Sequence, residues 1–247
     1  MERTHLRGPT TLSEPVPVLA AYDAGVAAVC RLAGEFDEPA WAAPTPCQEW
    51  RAFELAGHLR CVADNYHEYL DEAPASRYAR LMATGAHRDT LGRKLARQNA
   101  AELAALADAP PLEHIAAFAV SARSYAARLL AVWDLPHHQY RDTVVTVGGM
   151  AGAACAEWHL HAWDLATALG VSYRPADAAA VLAGWCAGMP HLPVRAAAPG
   201  VRAMRHYDSW HAVLAASGRL APGSTGTAGS RFSPAGWSAR LRRWRKD

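Results

Sequence analysis

The chain has 247 residues, of which 51% are hydrophobic and 19% charged, and a formal charge of +2. That length buries a sizeable core, in one large domain or a principal domain with an appendage, and the composition excludes a disordered chain. Basic residues are scattered as far as the last few positions, so there is no continuous track for nucleic acid.

Five cysteines stand at 30, 47, 61, 155 and 186 without a Cys-x-x-Cys pair. This argues against a disulfide framework or a Cys-rich zinc site and fits a reducing cytoplasm. No charged start leads into an apolar run, and no stretch of about 18 uninterrupted apolar residues occurs, so a soluble cytoplasmic protein without membrane contact is expected.

Residues 1–13 are polar, contain Gly8 and Pro9, and read as a loose leader. A helix is expected over 15–36, with Ser13 as its N-cap. Pro44 and Pro46 then impose an extended loop before a second helix, in which Leu55, Leu59, Val62 and Tyr66 recur at helical spacing with His58 on the flank of the stripe. Further helices are expected over 91–107 and 112–133. Pro136 and the β-branched run to Val147 mark a crossover with a short strand, closed by Gly148 and Gly149.

Another long helix is expected over 150–169, with Gly170 placed to end it. Beyond it the pattern weakens to helices near 177–187 and 209–217, separated by a Pro-rich stretch. The organisation expected is a leader (1–13), a metal-binding helical bundle (14–172) and a smaller C-terminal subdomain, α/β or irregular, with a basic tail (173–247). The run Arg240, Arg242, Arg243, Arg245 and Lys246 reads as a solvated end.

Chemistry concentrates in Cys155-Ala-Glu157-Trp-His-Leu-His161-Ala-Trp-Asp164. Glu157 and His161 are four apart on one helix and project the same way, so they can share an ion. On spacing alone such a pair is more often a surface pair than a metal site. Two helices facing each other across a bundle could bring His58 to the same point.

Pro44-Thr-Pro-Cys47, Trp50 through Leu59, and Glu157-Trp-His-Leu-His161-Ala-Trp-Asp164 together resemble the DinB-like superfamily, specifically its mycothiol-dependent maleylpyruvate isomerase branch. The resemblance spans residues 15–220 and implies a four-helix bundle in which His58, Glu157 and His161 bind zinc or another divalent metal. It also implies mycothiol as thiol cosubstrate, with Asp164 packing behind the ligands. Ala215-Ala-Ser-Gly-Arg219 resembles the segment that ends in that family's catalytic arginine, which makes Arg219 the candidate for pairing with a substrate anion.

Three protein ligands leave a coordination position open, as in catalytic zinc sites. The expected activity is thiol transfer to a small-molecule electrophile, because the C-terminal part departs from the isomerase except near Arg219. Alternatives are a cis-trans isomerase of the maleylpyruvate type, an iron enzyme, since two His and a carboxylate also describe non-heme iron, and a non-catalytic metal-binding or ligand-binding protein. Trp50, Trp158 and Trp163 are expected to wall the metal. His137, His138 and His159 are left out of the site, and oligomeric state stays open.

Overall fold

The computed structural model describes residues 12, 14–47, 50–106, 109–194 and 208–220. Ser13, most of the leader and the basic tail lie outside them. The chain forms helices α1 (Pro15–Ala33), α2 (Ala52–Asp71), α3 (Arg77–Ala83), α4 (Arg88–Ala105), α5 (Pro111–Leu129), α6 (Val147–Ala168), α7 (Ala178–Gly188) and α8 (Ser209–Ala216). Strands β1 (Pro136–Tyr140) and β2 (Thr143–Thr146) pair antiparallel between α5 and α6.

Four helices make the bundle: α1 packs on α6 and α5, and α2 packs on α5 and α6. Helix α6 is its axis. Apart from Glu157, Trp163, Thr167 and Ala168, every one of its residues is buried. Helix α4 lies against α2, α7 against α6 and α8 against α7, while α3 rests on β1. The C-terminal segment thus reaches the bundle through α7.

The core is aromatic at its centre. Trp158 stands edge-on to Tyr22, Tyr66 and Phe118, with centroids 5.9, 5.8 and 4.9 Å away. These pairings add specific geometry to area burial. Tyr22 spans from α1 to α5, donating its hydroxyl to the Ala122 carbonyl at 2.9 Å. By length and mean hydropathy α1 and the helix continuing α5 to Val132 could cross a membrane, but both carry core residues of this bundle.

The expected elements form, with differences that have local causes. The crossover strand is a two-stranded hairpin, turned at Arg141 with φ +51°. Gly148 and Gly149 do not close the strand but open α6, where Thr146 caps the helix by accepting from the Gly149 N–H at 3.1 Å. A Cβ on Gly148 would stand 2.5 Å from the Trp133 ring, so glycine there serves close approach. Gly170, at φ +70°, ends α6 as its position implies. Helix α3 has too short a pattern to stand out by periodicity.

Candidate metal centre

The loop before α2 folds back on itself. Pro44 bridges Arg51, the Thr45 N–H and hydroxyl both donate to the Trp50 carbonyl at 3.2 and 2.8 Å, and the Trp50 N–H donates to the Cys47 carbonyl at 2.7 Å. Glu54 in the first turn of α2 accepts the Arg51 N–H at 2.7 Å, which fixes where the helix begins. This closure sets Trp50 against His58, with ring centroids 4.2 Å apart.

His58 reaches α6 at His161, edge to face at 5.1 Å. Ligand atoms of His58, Glu157 and His161 all lie within 4.8 Å of one another. His161 Nε2 stands 3.2 Å from Glu157 Oε2 yet is not aligned for a hydrogen bond. His58 Nδ1 is buried with no partner. Donor atoms that converge without pairing suit a shared cation.

The other edge of His161 is held firmly. Its Nδ1 lies 3.0 Å from Asp164 Oδ2, and Asp164 is fully buried. Arg219 grips the same carboxylate with two parallel bonds, Nε to Oδ1 at 2.8 Å and Nη2 to Oδ2 at 2.6 Å. Cys47 completes the group, its Sγ 3.3 Å from both Asp164 Oδ2 and Arg219 Nη2. A carboxylate behind a ligating imidazole fixes its tautomer and orientation.

Electrostatics divide the two histidines. Burial, helped by the charges of His161 and Arg219, holds His58 well below the ordinary histidine range, so it offers a lone pair. Burial acts on His161 in the same direction, but Asp164, Cys47 and Glu157 outweigh it and raise its pKa well above the usual value. Burial opposes ionisation of Glu157 as well, and His161 with Arg219 overcomes it. Without a metal, His161 therefore holds positive charge between two carboxylates, and a divalent cation at the triad would exchange with its proton.

The residues fit a metal: two imidazoles and a carboxylate suit zinc and equally iron(II). Glu157, with its side chain 27% exposed, opens the triad on one side. Cys47, His161 and Asp164 also come within 4.8 Å as a second donor group. The guanidinium of Arg219 already lies against two of them, which leaves that side of His161 unsuited to another cation.

All four residues singled out from the sequence, His58, Glu157, His161 and Arg219, are thus brought into one cluster. Arg219 enters through Asp164 rather than as a free clamp, and its side chain is only 12% exposed. Sequence reasoning missed the contact of Cys47 with Asp164 and Arg219, which requires knowing that the loop folds back over α6. Of the tryptophans, Trp50 walls His58, whereas Trp158 packs into the aromatic core. His159 points away, towards the Ala21 carbonyl at 2.8 Å and the Tyr173 hydroxyl at 2.6 Å.

No curated protein and no solved structure matches the chain. Residues 22–166, more than half of the chain and inclusive of His58, Glu157, His161 and Asp164 but not Arg219, match the family described as Mycothiol maleylpyruvate isomerase N-terminal domain. The chain belongs to this family, within the DinB-like superfamily.

Proposed function

We propose that this protein is a cytoplasmic, metal-dependent S-transferase that joins the thiol of mycothiol to a small-molecule electrophile or exchanges it on an S-conjugate. The observation that carries the metal is the convergence of His58, Glu157 and His161 with an open side at Glu157. The thiol follows from the family. Domain limits of 14–172 for the metal-binding bundle and 173–247 for the C-terminal part belong to the same proposal.

A zinc ion in the triad would supply positive charge that favours the thiolate form of a cosubstrate thiol at neutral pH. The chain's own residues do the rest. His58 and Glu157 hold one side of the ion, and Asp164 keeps His161 turned towards it. Arg219 supports Asp164 and places positive charge where an anionic substrate group would approach. Trp50 keeps bulk water from His58.

The reading is tested by metal analysis and product analysis together. About one divalent metal per chain is expected, lost in His58→Ala and His161→Ala, with weakened binding in Glu157→Gln. Stoichiometric metal in His161→Ala excludes the triad. Thiol consumed one for one with electrophile supports transfer, whereas catalytic, unconsumed thiol supports the isomerase reading that the family description favours. Stoichiometric iron with oxygen-dependent turnover counts against thiol chemistry, and tight ligand binding without turnover would make the protein a binding module.

A further inference from the structure

A cavity of about 590 Å3 lies beside the first turns of α2, between them, the end of α4 and the start of α5. Its wall is mainly apolar, with Trp50, Phe53, Leu103, Leu106 and Pro111 among the residues that line it. Phe53 remains 44% exposed. A cavity of this size and lining suits a small organic molecule.

Two residues of the wall are unexplained by the packing of the helices. Gly57 stands in the interior of α2, where glycine is a poor helix former. A Cβ there would come 2.9 Å from Leu103 Cδ2 and 4.0 Å from His114 Cδ2, so the missing side chain keeps room among residues that line the cavity. His114 also lines it and is only 6% exposed, yet its Nδ1 is buried with no hydrogen-bond partner. Buried polar atoms are rarely left unpaired. The ring edge towards Gly57 carries Cδ2, and a half-turn about χ2 exchanges Cδ2 with Nδ1. His114 can thus turn its unpaired nitrogen to a molecule in the cavity.

Charge selects that molecule. No lysine or arginine lines the cavity among the described residues, whereas Glu54 does, which disfavours an anion. A cation would leave water for an apolar wall, with Glu54 Oε2 already committed to the Arg51 N–H at 2.7 Å. Burial and the charge of Arg60 lower the pKa of His114, so its ring is neutral at pH 7 and gives or takes a single hydrogen bond at each nitrogen. An aromatic or aliphatic body with one hydroxyl or carbonyl meets both the wall and His114.

Trp50 belongs to the cavity and to the metal centre at once: it lines the one, and its ring packs 4.2 Å from that of His58. We infer that the cavity is a second small-molecule site, taking an uncharged, largely apolar molecule that hydrogen-bonds to His114 and rests on the indole of Trp50. It needs no thiol and stands whatever reaction the triad performs.

The test titrates full-length protein with 2-naphthol by calorimetry, in wild type, His114→Phe and Gly57→Ala. Naphthalene, which lacks the hydroxyl, and 2-naphthoate, which is charged, serve as companion probes. Melting temperature identifies a variant that fails to fold, and Gly57→Ala meets only the flexible end of Leu103. In His114→Phe the affinity for 2-naphthol is expected to fall about tenfold, the scale of one lost hydrogen bond, with naphthalene within about threefold of wild type. Gly57→Ala should weaken both about tenfold, because its methyl group takes room from the cavity. Wild type should bind 2-naphthoate at least about tenfold more weakly than 2-naphthol. In 19F spectra of 5-fluorotryptophan-labelled protein, with the Trp50 signal assigned through Trp50→Phe, 2-naphthol should move that signal. No 2-naphthol binding below about 1 mM, binding unchanged in both folded variants, 2-naphthoate bound as tightly as 2-naphthol, or an unmoved Trp50 signal at saturation would each overturn the inference.

Discussion

Asp164→Asn should separate the architecture of this site from its chemistry. The carboxylate is fully buried and serves Arg219 twice, His161 once and the Cys47 thiol once. The amide has nearly the same shape but only one acceptor oxygen, and its NH2 must face a donor. The Arg219 guanidinium, 12% exposed at its side chain, then keeps its charge without the partner that balanced it. Breaking one side of a buried pair costs about 3–5 kcal/mol, which in a chain of this length lowers the melting temperature by about 10 °C. His161 also loses the group that orients its ring, so metal affinity should drop about 10- to 100-fold. Thermal melting of metal-free protein and competition against a chelating dye measure the two effects. The charge-free pair Asp164→Leu with Arg219→Met should recover more than half of the lost stability, because nothing charged is then left unpaired. A melting temperature within about 2 °C of wild type in Asp164→Asn, with metal affinity within threefold, would refute the reasoning.

Other outcomes follow from the packing and the buried histidines. Gly152→Ala places a Cβ 2.5 Å from the Gly184 Cα, forcing α6 and α7 apart, and should cost about 1–3 kcal/mol or more in urea unfolding. A Gly152→Ala variant as stable as wild type would mean that α7 yields without cost. Stability should also fall steeply in mild acid, because His137, His138 and His191 have pKa values of about 4, about 3 and about 4 in the folded chain, against about 6.5 unfolded. Their neutral burial contributes in full above pH 6.5 and is lost as pH falls below it, because the unfolded chain takes up three protons that the folded one refuses. These three contribute about 4 kcal/mol per pH unit to the slope near pH 5, read from denaturant midpoints, and His159, lowered to about 4 by burial, adds to it, so a flat profile there would deny that the buried histidines are neutral.

The bundle was legible because its helices carry apolar stripes at the helical period and because Gly170 stands where a helix should end. The triad was legible through the family resemblance: helix spacing put Glu157 and His161 on one face, and the resemblance, not the spacing, implied their role and joined His58 to them. What remained hidden depends on contacts between distant segments. Arg219 meets Asp164 across 55 positions and Cys47 meets it across 117, and no local pattern announces either. Adjacent His137 and His138 are left out of the site in the sequence because they lack helical spacing and fall in a segment that reads as a loop. The ladder is irregular between Pro136 and His138, and both rings end up buried and in contact.

Arg219 carries the remaining ambiguity between support and chemistry, and its geometry shows how to resolve it. Its Nε and Nη2 are committed to Asp164, and Nη2 also meets Cys47, so in this arrangement Nη1 is the nitrogen with no bond to either residue. A purely supporting arginine needs its charge near Asp164, which lysine supplies as a point charge. An anion clamp needs the planar fork as well, since one nitrogen must reach substrate while the others hold their place. Arg219→Lys should therefore retain more than half of the stability lost in Arg219→Ala while turnover falls about a hundredfold, the scale of removing a preorganised oxyanion donor. Thiol affinity should change less than turnover in Arg219→Lys, because lysine keeps a positive charge beside Asp164 and so leaves the group that orients His161 in place. Full turnover in Arg219→Lys alongside retained stability would reduce Arg219 to a counter-charge for Asp164. The substrate's anion would then have to be met by another group on the open side of Glu157.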